Sequence, residues 1–207
     1  MGIAALGGVG PFEVANAVGL VAFAMVGALK GADADLDLFG IVVLGVITAF
    51  GGGATRDVLV GRIPASLLTT TDVAFAFLGV ALGVVVWRRV GPVLDHPAVL
   101  LPDAVGLAAF AATGALVGTA FGVSPFGVVL LATITGVGGG SIADLLLTRV
   151  PIVLREDFYA TPAFVGGAVF WAVDQVAAPP APTATCVGVV LALRLLALHY
   201  DWELPTL

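Results

Sequence analysis

The sequence predicts an all-α membrane protein, and three observations lead to that prediction. Sixty per cent of the 207 residues are hydrophobic, only 11% are charged, and the mean hydropathy is +1.15. A soluble domain carries charge on roughly a quarter of its residues. Second, 28 glycines and unbroken Val, Leu and Ala runs occupy nearly the whole chain, which suits helices in lipid better than a buried sheet. The third observation is an internal repeat, in which one apolar segment of the chain occurs twice.

The internal repeat has no gap. Residues Ala17–Pro64 align with Ala104–Pro151 at a constant offset of 87, and about half of the positions are identical. Repetition of this length in an apolar chain is typical of membrane transport proteins built from two related halves. We therefore expect a single transmembrane domain over residues 1–207, with one repeat at about 12–90, a second at about 99–177 and an additional helix at about 183–200.

Seven stretches are apolar enough to cross a hydrocarbon core of about 30 Å, which takes about 20 helical residues. In chain order they are Phe12–Leu29, Leu38–Val60, Thr71–Trp87, Ala104–Phe121, Pro125–Leu147, Thr161–Val176 and Thr183–His199. The opening segment MGIAALGGVG lacks the basic region of a secretory signal, so we expect the first span to be retained.

Span number and charge predict the topology. Each copy holds three spans, an odd number, so the second copy enters the membrane from the opposite side and the two form an inverted repeat. With the N-terminus outside and the C-terminus cytoplasmic, only Arg62 lies outside. The cytoplasmic side then receives Lys30, Arg88, Arg89, Arg149 and Arg155. Arg194, near the cytoplasmic end of the seventh span, is expected to extend its side chain to the interface.

Charge and cysteine content narrow the function classes. The net charge is −6 and no basic patch is present, so no nucleic-acid partner is expected. Cys186 has no second cysteine, and His96 and His199 lack partners at metal-ligand spacing, so no cofactor or resident metal is expected. The other charged and polar residues are interpreted as solvated loops and helix ends: Glu13, Asn16, Lys30, Asp33, Asp35, Asp37, Asp72, Asp95, Asp103, Glu156, Asp157, Asp174, Asp201 and Glu203. The alternative for Glu13, Asn16 and Lys30 is that they border the entrances of a pathway.

The second span of each copy carries a glycine triplet, Gly51-Gly52-Gly53 in one and Gly138-Gly139-Gly140 in the other. Each glycine costs a helix interior about 1 kcal/mol relative to alanine, so three in succession favour a kink or unwinding. We expect matched breaks that face each other near mid-membrane and mark the permeation site. Carbonyls around residues 48–50 and 135–137 would then be free to replace water around a cation. The alternative is that the glycines only let two helices pack closely.

Polar neighbours of the triplets complete the candidate ion pathway. An ionised aspartate near the bilayer centre costs roughly 2.5–3.5 kcal/mol, so Asp57 and its repeat equivalent Asp144 should face water or a partner. The alternative is a pair of structural ion pairs, for example with Arg62 or Arg149. Arg56 has Ala143 as its equivalent, and one possibility is that it pairs with Asp144. The predicted pathway residues are Thr48, Gly51, Gly52, Gly53, Thr55, Arg56, Asp57, Thr135, Gly138, Gly139, Gly140, Ser141 and Asp144.

The segment GGGATRDVLVGRIP, its echo GGGSIADLLLTRVP and the 3+3+1 span count resemble the trimeric intracellular cation (TRIC) channel family. Prokaryotic members of that family overlap with proteins named glycine transporters. The resemblance implies seven transmembrane helices, a homotrimer in the lipid bilayer, and an hourglass pore in each protomer between kinked second and fifth helices. It implies conduction of K⁺ and, less selectively, Na⁺. The basic lipid-binding motif that follows the kinked helix in the animal channels is absent here.

Two functions fit these features, and a third class does not. The first is a passive monovalent-cation channel, and the alternative is a secondary transporter of a small zwitterion such as glycine, with Asp57 or Asp144 holding the amine. An enzyme is not expected, because the GxGD context of an intramembrane aspartyl protease is absent. Small-residue faces on the first and fourth spans, Gly19/Gly27 and Gly106/Gly114, are expected to support the homotrimer.

Overall fold

A computed structural model describes residues 10–91, 96–155, 158–200 and 202, and these residues contain helices and no strand. The long helices are α1 (Pro11–Asp33), α2 (Leu38–Leu59), α3 (Thr70–Val90), α4 (Pro97–Ala120), α5 (Pro125–Leu146), α6 (Ala160–Asp174) and α7 (Ala181–Tyr200). Short 3-10 turns follow α2 and α5, at Ala65–Leu67 and Ile152–Leu154. The segment 1–9 and the acidic residues Asp95, Glu156, Asp157, Asp201 and Glu203, for which the sequence makes predictions, lie outside the described residues.

Six of these helices are long and apolar enough to span a membrane, and α6 is the exception. It has 15 residues. At about 1.5 Å per residue it is about 22 Å long, less than the hydrocarbon core of about 30 Å. The structure thus has six candidate spans and one shorter helix where the sequence predicts seven spans.

The two copies of the repeat begin their second helices in the same way. Asp37 accepts a hydrogen bond from the backbone N–H of Gly40 at 2.7 Å, and Ser124 accepts one from Gly127 at 3.1 Å. Both are side-chain caps on otherwise unpaired N–H groups. The turns of the two copies also match, with positive φ at pairs related by the offset of 87: Asp35 and Gly122, Gly61 and Thr148.

The centre of the bundle is the contact between α1 and α4. Phe23 of α1 and Phe110 of α4 meet edge to face, with ring centroids 5.2 Å apart. Gly19 makes room for the ring of Phe110, and Gly106 makes room for the ring of Phe23, because a Cβ at either glycine would overlap that ring. Around this pair, α1 packs on α2 and α3, while α4 packs on α5, α6 and α7.

The prediction that glycines of α1 and α4 form the oligomer interface is wrong. Gly19 and Gly106 face the two phenylalanines, and Gly27 and Gly114 face α2 and α5 of the same chain. A Cβ at Gly27 would overlap the hydroxyl of Thr48. Small residues let helices approach closely whether or not they belong to one chain, and here the chain itself fills the space.

Arg194 on α7 does not extend to the interface as predicted, since only 4% of it is exposed. Its guanidinium lies over the ring of Tyr159, 4.7 Å from the centroid, and its Nη1 donates to the carbonyl of Phe158 at 3.4 Å. A buried guanidinium needs such partners. Arg194 therefore ties α7 to the segment that enters α6.

Candidate functional site

The two glycine triplets pack directly against each other where α2 crosses α5. A Cβ at Gly52 would overlap the carbonyl oxygen of Thr135, and a Cβ at Gly139 would overlap that of Thr48. These two contacts are related by the offset of 87. Only glycine fits at either position, because a side chain would push the two backbones apart.

Both helices remain α-helical through the triplets, so the predicted unwinding is wrong. The cost of about 1 kcal/mol per glycine is offset by the close approach of two helices, which is the packing alternative that the sequence leaves open. Because neither helix is interrupted, the triplets leave no gap in the backbone hydrogen-bond ladder. A bend in these continuous helices stays a prediction.

The hydroxyl groups of the predicted pathway are all bonded within their own helices. Each donates to the carbonyl four residues earlier, which satisfies the hydroxyl proton and leaves its oxygen lone pairs available. Thr48 and Thr135 are fully buried, whereas Thr55 is exposed and Ser141 is partly exposed. The donor–acceptor distances are 2.6 Å for Thr48 and for Thr135, and 2.8 Å for Thr55 and for Ser141.

Asp57 is buried, and both of its carboxylate oxygens are engaged. Arg56 donates from Nε to Oδ1 at 2.7 Å, and Nη2 of Arg62 forms an ion pair with the same oxygen at 2.8 Å. The backbone N–H of Ala65 donates to Oδ2 at 2.9 Å. Two guanidinium groups and the first residue of the 3-10 turn therefore hold one carboxylate.

Arg56 pairs with its neighbour in sequence and not with Asp144, so the suggested cross-repeat pair is wrong. Successive residues in a helix point in different directions, but the arginine side chain is long enough to return to Asp57 near the end of α2. Its Nη1 also reaches Thr113 of α4 at 3.3 Å. The predicted partner Arg62 does contact Asp57.

Asp144 is also buried with both oxygens engaged, but its cation comes from another helix. Lys30, 5% exposed in the last turn of α1, donates from Nζ to Oδ1 at 2.7 Å. The backbone N–H of Ile152 donates to Oδ2 at 3.0 Å, as Ala65 does in the first copy. The predicted partner Arg149 instead approaches Asp33 at 3.8 Å. Lys30 is thus a buried partner of Asp144, and its interpretation as a solvated helix end is wrong.

Two further side-chain hydrogen bonds lie at positions that the repeat makes equivalent, although the residue types differ between the copies. Asn16 donates to Asp72 at 3.1 Å, and Tyr159 donates to Asp103 at 2.9 Å. Burial and the Asp103 carboxylate raise the pKa of Tyr159 well above its usual value, so the phenol remains a donor. Asp103, predicted in a loop, lies buried inside α4 because that helix begins at Pro97 and not at Ala104.

The aspartate clusters lie at two well-separated levels of the bundle. Asn16 borders the Asp57 cluster and Lys30 borders the Asp144 cluster. These two residues are 14 positions apart on one helix, which corresponds to about 21 Å. The Asp57 and Asp144 carboxylates therefore belong to separate sites and do not form a catalytic dyad.

The space around the two aspartates differs greatly. A cavity of about 500 Å³ opens beside Asp144, and its charged lining is Lys30, Asp103, Asp144, Arg149, Arg155 and Arg194. The cavity beside Asp57 has a volume of only about 20 Å³, room for about one water molecule. The Asp144 end of the α2–α5 crossing therefore borders a much larger cavity than the Asp57 end.

The sequence reasoning missed two contacts of this site, the pairing of Lys30 with Asp144 and the contact of Arg56 with Thr113. Lys30 carries a signal that could have revealed it, since a charged residue within an apolar span is by default a functional candidate with a partner. Its repeat equivalent is Val117, so the repeat gives no hint. Thr113 carries no comparable signal.

Six candidate spans around buried charged clusters define a multi-pass membrane protein. The chain belongs to the Glycine transporter family, which it matches over residues 13–89 and 100–175. It is 39% identical to a UPF0126 membrane protein of Deinococcus radiodurans, over 91% of this chain and 88% of that one. It is 38% identical to the UPF0126 inner membrane protein YadS of Escherichia coli, over 91% of this chain and 92% of YadS.

Solved structures of TRIC cation channels share this fold. A structure from work on conductance through TRIC cation channels is 37% identical, covers 95% of this chain and 97% of its own, and superposes with a TM-score of 0.85. The TRIC trimeric intracellular cation channel orthologue from Rhodobacter sphaeroides is 31% identical, covers 92% of this chain and 98% of its own, and has a TM-score of 0.83. These matches support a cation channel.

Proposed function

We propose that the protein is a monovalent-cation channel with a pore through each protomer, running beside the α2–α5 crossing between the Asp57 and Asp144 clusters. The observation that carries the proposal is the similarity to TRIC cation channels over more than nine tenths of the chain. Two buried aspartates at opposite ends of one helix crossing support the route. Carboxylates along a narrow path raise the local concentration of cations.

The proposed pathway keeps the residues that the sequence selects, in roles suggested by the geometry. The glycine triplets let α2 and α5 approach closely, and the hydroxyl oxygens of Thr55 and Ser141 offer lone pairs on the accessible side of the crossing. Asp144 faces the open cavity and attracts K⁺, with Na⁺ conducted less selectively. Asp57 and Arg56 form the end with the small cavity, and the buried threonines Thr48 and Thr135 lie at the crossing itself.

Reciprocal contacts support an inverted repeat. When residue i of one copy touches residue j of the other and the equivalent of j touches the equivalent of i, the two copies are related by a twofold axis. Gly19 with Phe110 and Phe23 with Gly106 form one such set, and the glycine contacts of Thr48 and Thr135 form another. In this proposal the N-terminus is outside, the C-terminus is cytoplasmic, and α6 crosses as the shortest of seven spans.

We place the channel in the cell membrane as a homotrimer, in which each protomer has its own pore. The relative from Rhodobacter sphaeroides is described as trimeric. Because the glycines of α1 and α4 are used within the chain, they do not form the interface. Glycine transport is the alternative suggested by the family's name, but the solved relatives of the same fold are cation channels.

Recording from purified protein in a planar bilayer tests the proposed function. Discrete unitary currents carried by K⁺ are expected, with no saturable uptake of labelled glycine into proteoliposomes. The heat-denatured protein in the same lipid is the control. Glycine uptake without unitary currents would replace the channel by the transporter.

A further inference from the structure

The first half of the molecule places a buried guanidinium beside three particular residues. Arg56 of α2 is 2% exposed and donates to Asp57. Its guanidinium carbon lies 5.8 Å from the ring centroid of Phe12, and it interacts electrostatically with Asp72. Adding the offset of 87 to these three neighbours gives Asp144, Val99 and Tyr159.

The second half has no arginine in its own α5 at this place, because the repeat equivalent is the fully buried Ala143. Arg194 of α7 lies there instead. Its guanidinium stacks on Tyr159 at 4.7 Å, and it lines the same cavity as Val99 and Asp144. Arg194 therefore lies near Asp144, Val99 and Tyr159, and these are the repeat equivalents of the three residues that surround Arg56.

We infer that α7, which lies outside the repeat, supplies to the second half the buried positive charge that α2 supplies to the first, and that Arg194 is the positioning residue of the Asp144 end. The reason is electrostatic. Asp103 and Asp144 are both buried at this end, and buried carboxylates are stable only beside compensating cations. Lys30 contacts Asp144 directly, and Arg194 supplies a second cation beside Tyr159, the donor to Asp103.

This inference rests on the proposed function in one respect: it places Arg56 and Arg194 near opposite ends of one cation pathway. The two levels are separated by about 21 Å along α1, more than the Debye length of about 8 Å at physiological salt. Each guanidinium thus acts on cations at its own end. Removing one of them raises the local cation concentration at that end alone and makes the current rectify.

Moving the arginine tests the inference without any electrical recording. Arg194→Leu is expected to lower the midpoint of thermal unfolding by about 10 °C, and the double variant Ala143→Arg/Arg194→Leu is expected to recover most of that loss. Ala143→Arg alone is expected to lose stability, since two guanidinium groups would then share one site. If Arg194→Leu does not express, the double variant must restore expression. A double variant no better than Arg194→Leu overturns the inference.

Rectification supplies the readout that a merely structural arginine would not change. Arg56→Gln and Arg194→Gln are expected to shift the ratio of currents at opposite voltages in opposite senses, by about twofold. Arg89→Gln, which removes an exposed charge at the end of α3, is the control and should leave the ratio unchanged. Shifts of the same sense would refute the placement at two ends. If the parent protein does not conduct, the proposed function fails, while the thermal rescue still decides the role of Arg194.

Discussion

The Asp57 end and the Asp144 end are built from equivalent residues, yet they hold their aspartates differently. Asp57 is fixed by two arginines from its own copy and borders a cavity of about 20 Å³. Asp144 is held by one lysine from the opposite copy and borders about 500 Å³. The shared contacts to Ala65 and Ile152 show what the repeat preserves. The differing cations show where the copies have diverged, and the cavity beside Asp144 is much larger than the cavity beside Asp57.

The largest expected effect is a difference in folding stability between variants of the two aspartates. Asp57→Asn leaves the buried guanidinium of Arg56 and the partly exposed one of Arg62 without their carboxylate, and it is expected to cost about 3–5 kcal/mol. Asp144→Asn leaves only a lysine beside an open cavity, where water can solvate the ammonium, so we expect a loss of about 1–2 kcal/mol. Thermal unfolding in detergent measures both. Equal losses of stability would contradict the idea that the partner cations and the surrounding space make the two aspartates differ.

A second prediction concerns the crossing, which both copies should support equally. Gly52→Ala and Gly139→Ala each push a methyl group into the opposite backbone and are expected to cost about 3 kcal/mol. The matched controls are Gly53→Ala and Gly140→Ala, whose added Cβ atoms lie 3.6 Å and 3.7 Å from the nearest atoms. These controls should be neutral or stabilising by up to about 1 kcal/mol. Tolerance of alanine at Gly52 and Gly139 would contradict the packing of the two triplets.

The smallest expected effect compares two equivalent arginines. Arg62 contacts the buried Asp57 at 2.8 Å, whereas Arg149 is 38% exposed and lies 3.8 Å from Asp33. Arg62→Gln is expected to cost about 1–2 kcal/mol, and Arg149→Gln less than about 0.5 kcal/mol. Chemical or thermal unfolding of the two variants checks the order. A larger loss for Arg149→Gln would show that the exposed ion pair of Arg149 stabilises the protein more than the contact between Arg62 and the buried Asp57.

The sequence predicts the helices well because a span is defined by its length and apolarity. The two copies of the repeat also show the same pattern of apolar segments, so each supports the assignment in the other. It also predicts that Asp57 and Asp144 need partners, since a lone carboxylate in an apolar span is unfavourable. It names Arg62 as a partner of Asp57, but it does not predict the partner of Asp144, because Lys30 reaches that carboxylate only through tertiary packing. The propensity cost of the glycine triplets predicts breaks, but the packing between α2 and α5 depends on the same absence of side chains.

The glycines of α1 and α4 illustrate the same limit. A small-residue face indicates close approach of another helix and does not say whether that helix belongs to the same chain. Gly19 and Gly106 receive phenylalanine rings from within the chain. Phe23 and Phe110 are themselves repeat equivalents, so the sequence contains both members of each reciprocal contact. It does not show which faces of α1 and α4 pack against each other, and the pairing therefore could not be predicted.

The reversal potential in a KCl gradient tests the central claim most directly, because it measures which ion passes and whether Asp144 is involved. For the parent protein we expect a reversal potential close to the K⁺ equilibrium value. For Asp144→Asn, which leaves the ammonium of Lys30 without its carboxylate at the open end, we expect a shift toward zero while the protein remains folded. A folded Asp144→Asn variant that conducts and selects like the parent would contradict a cation path past Asp144.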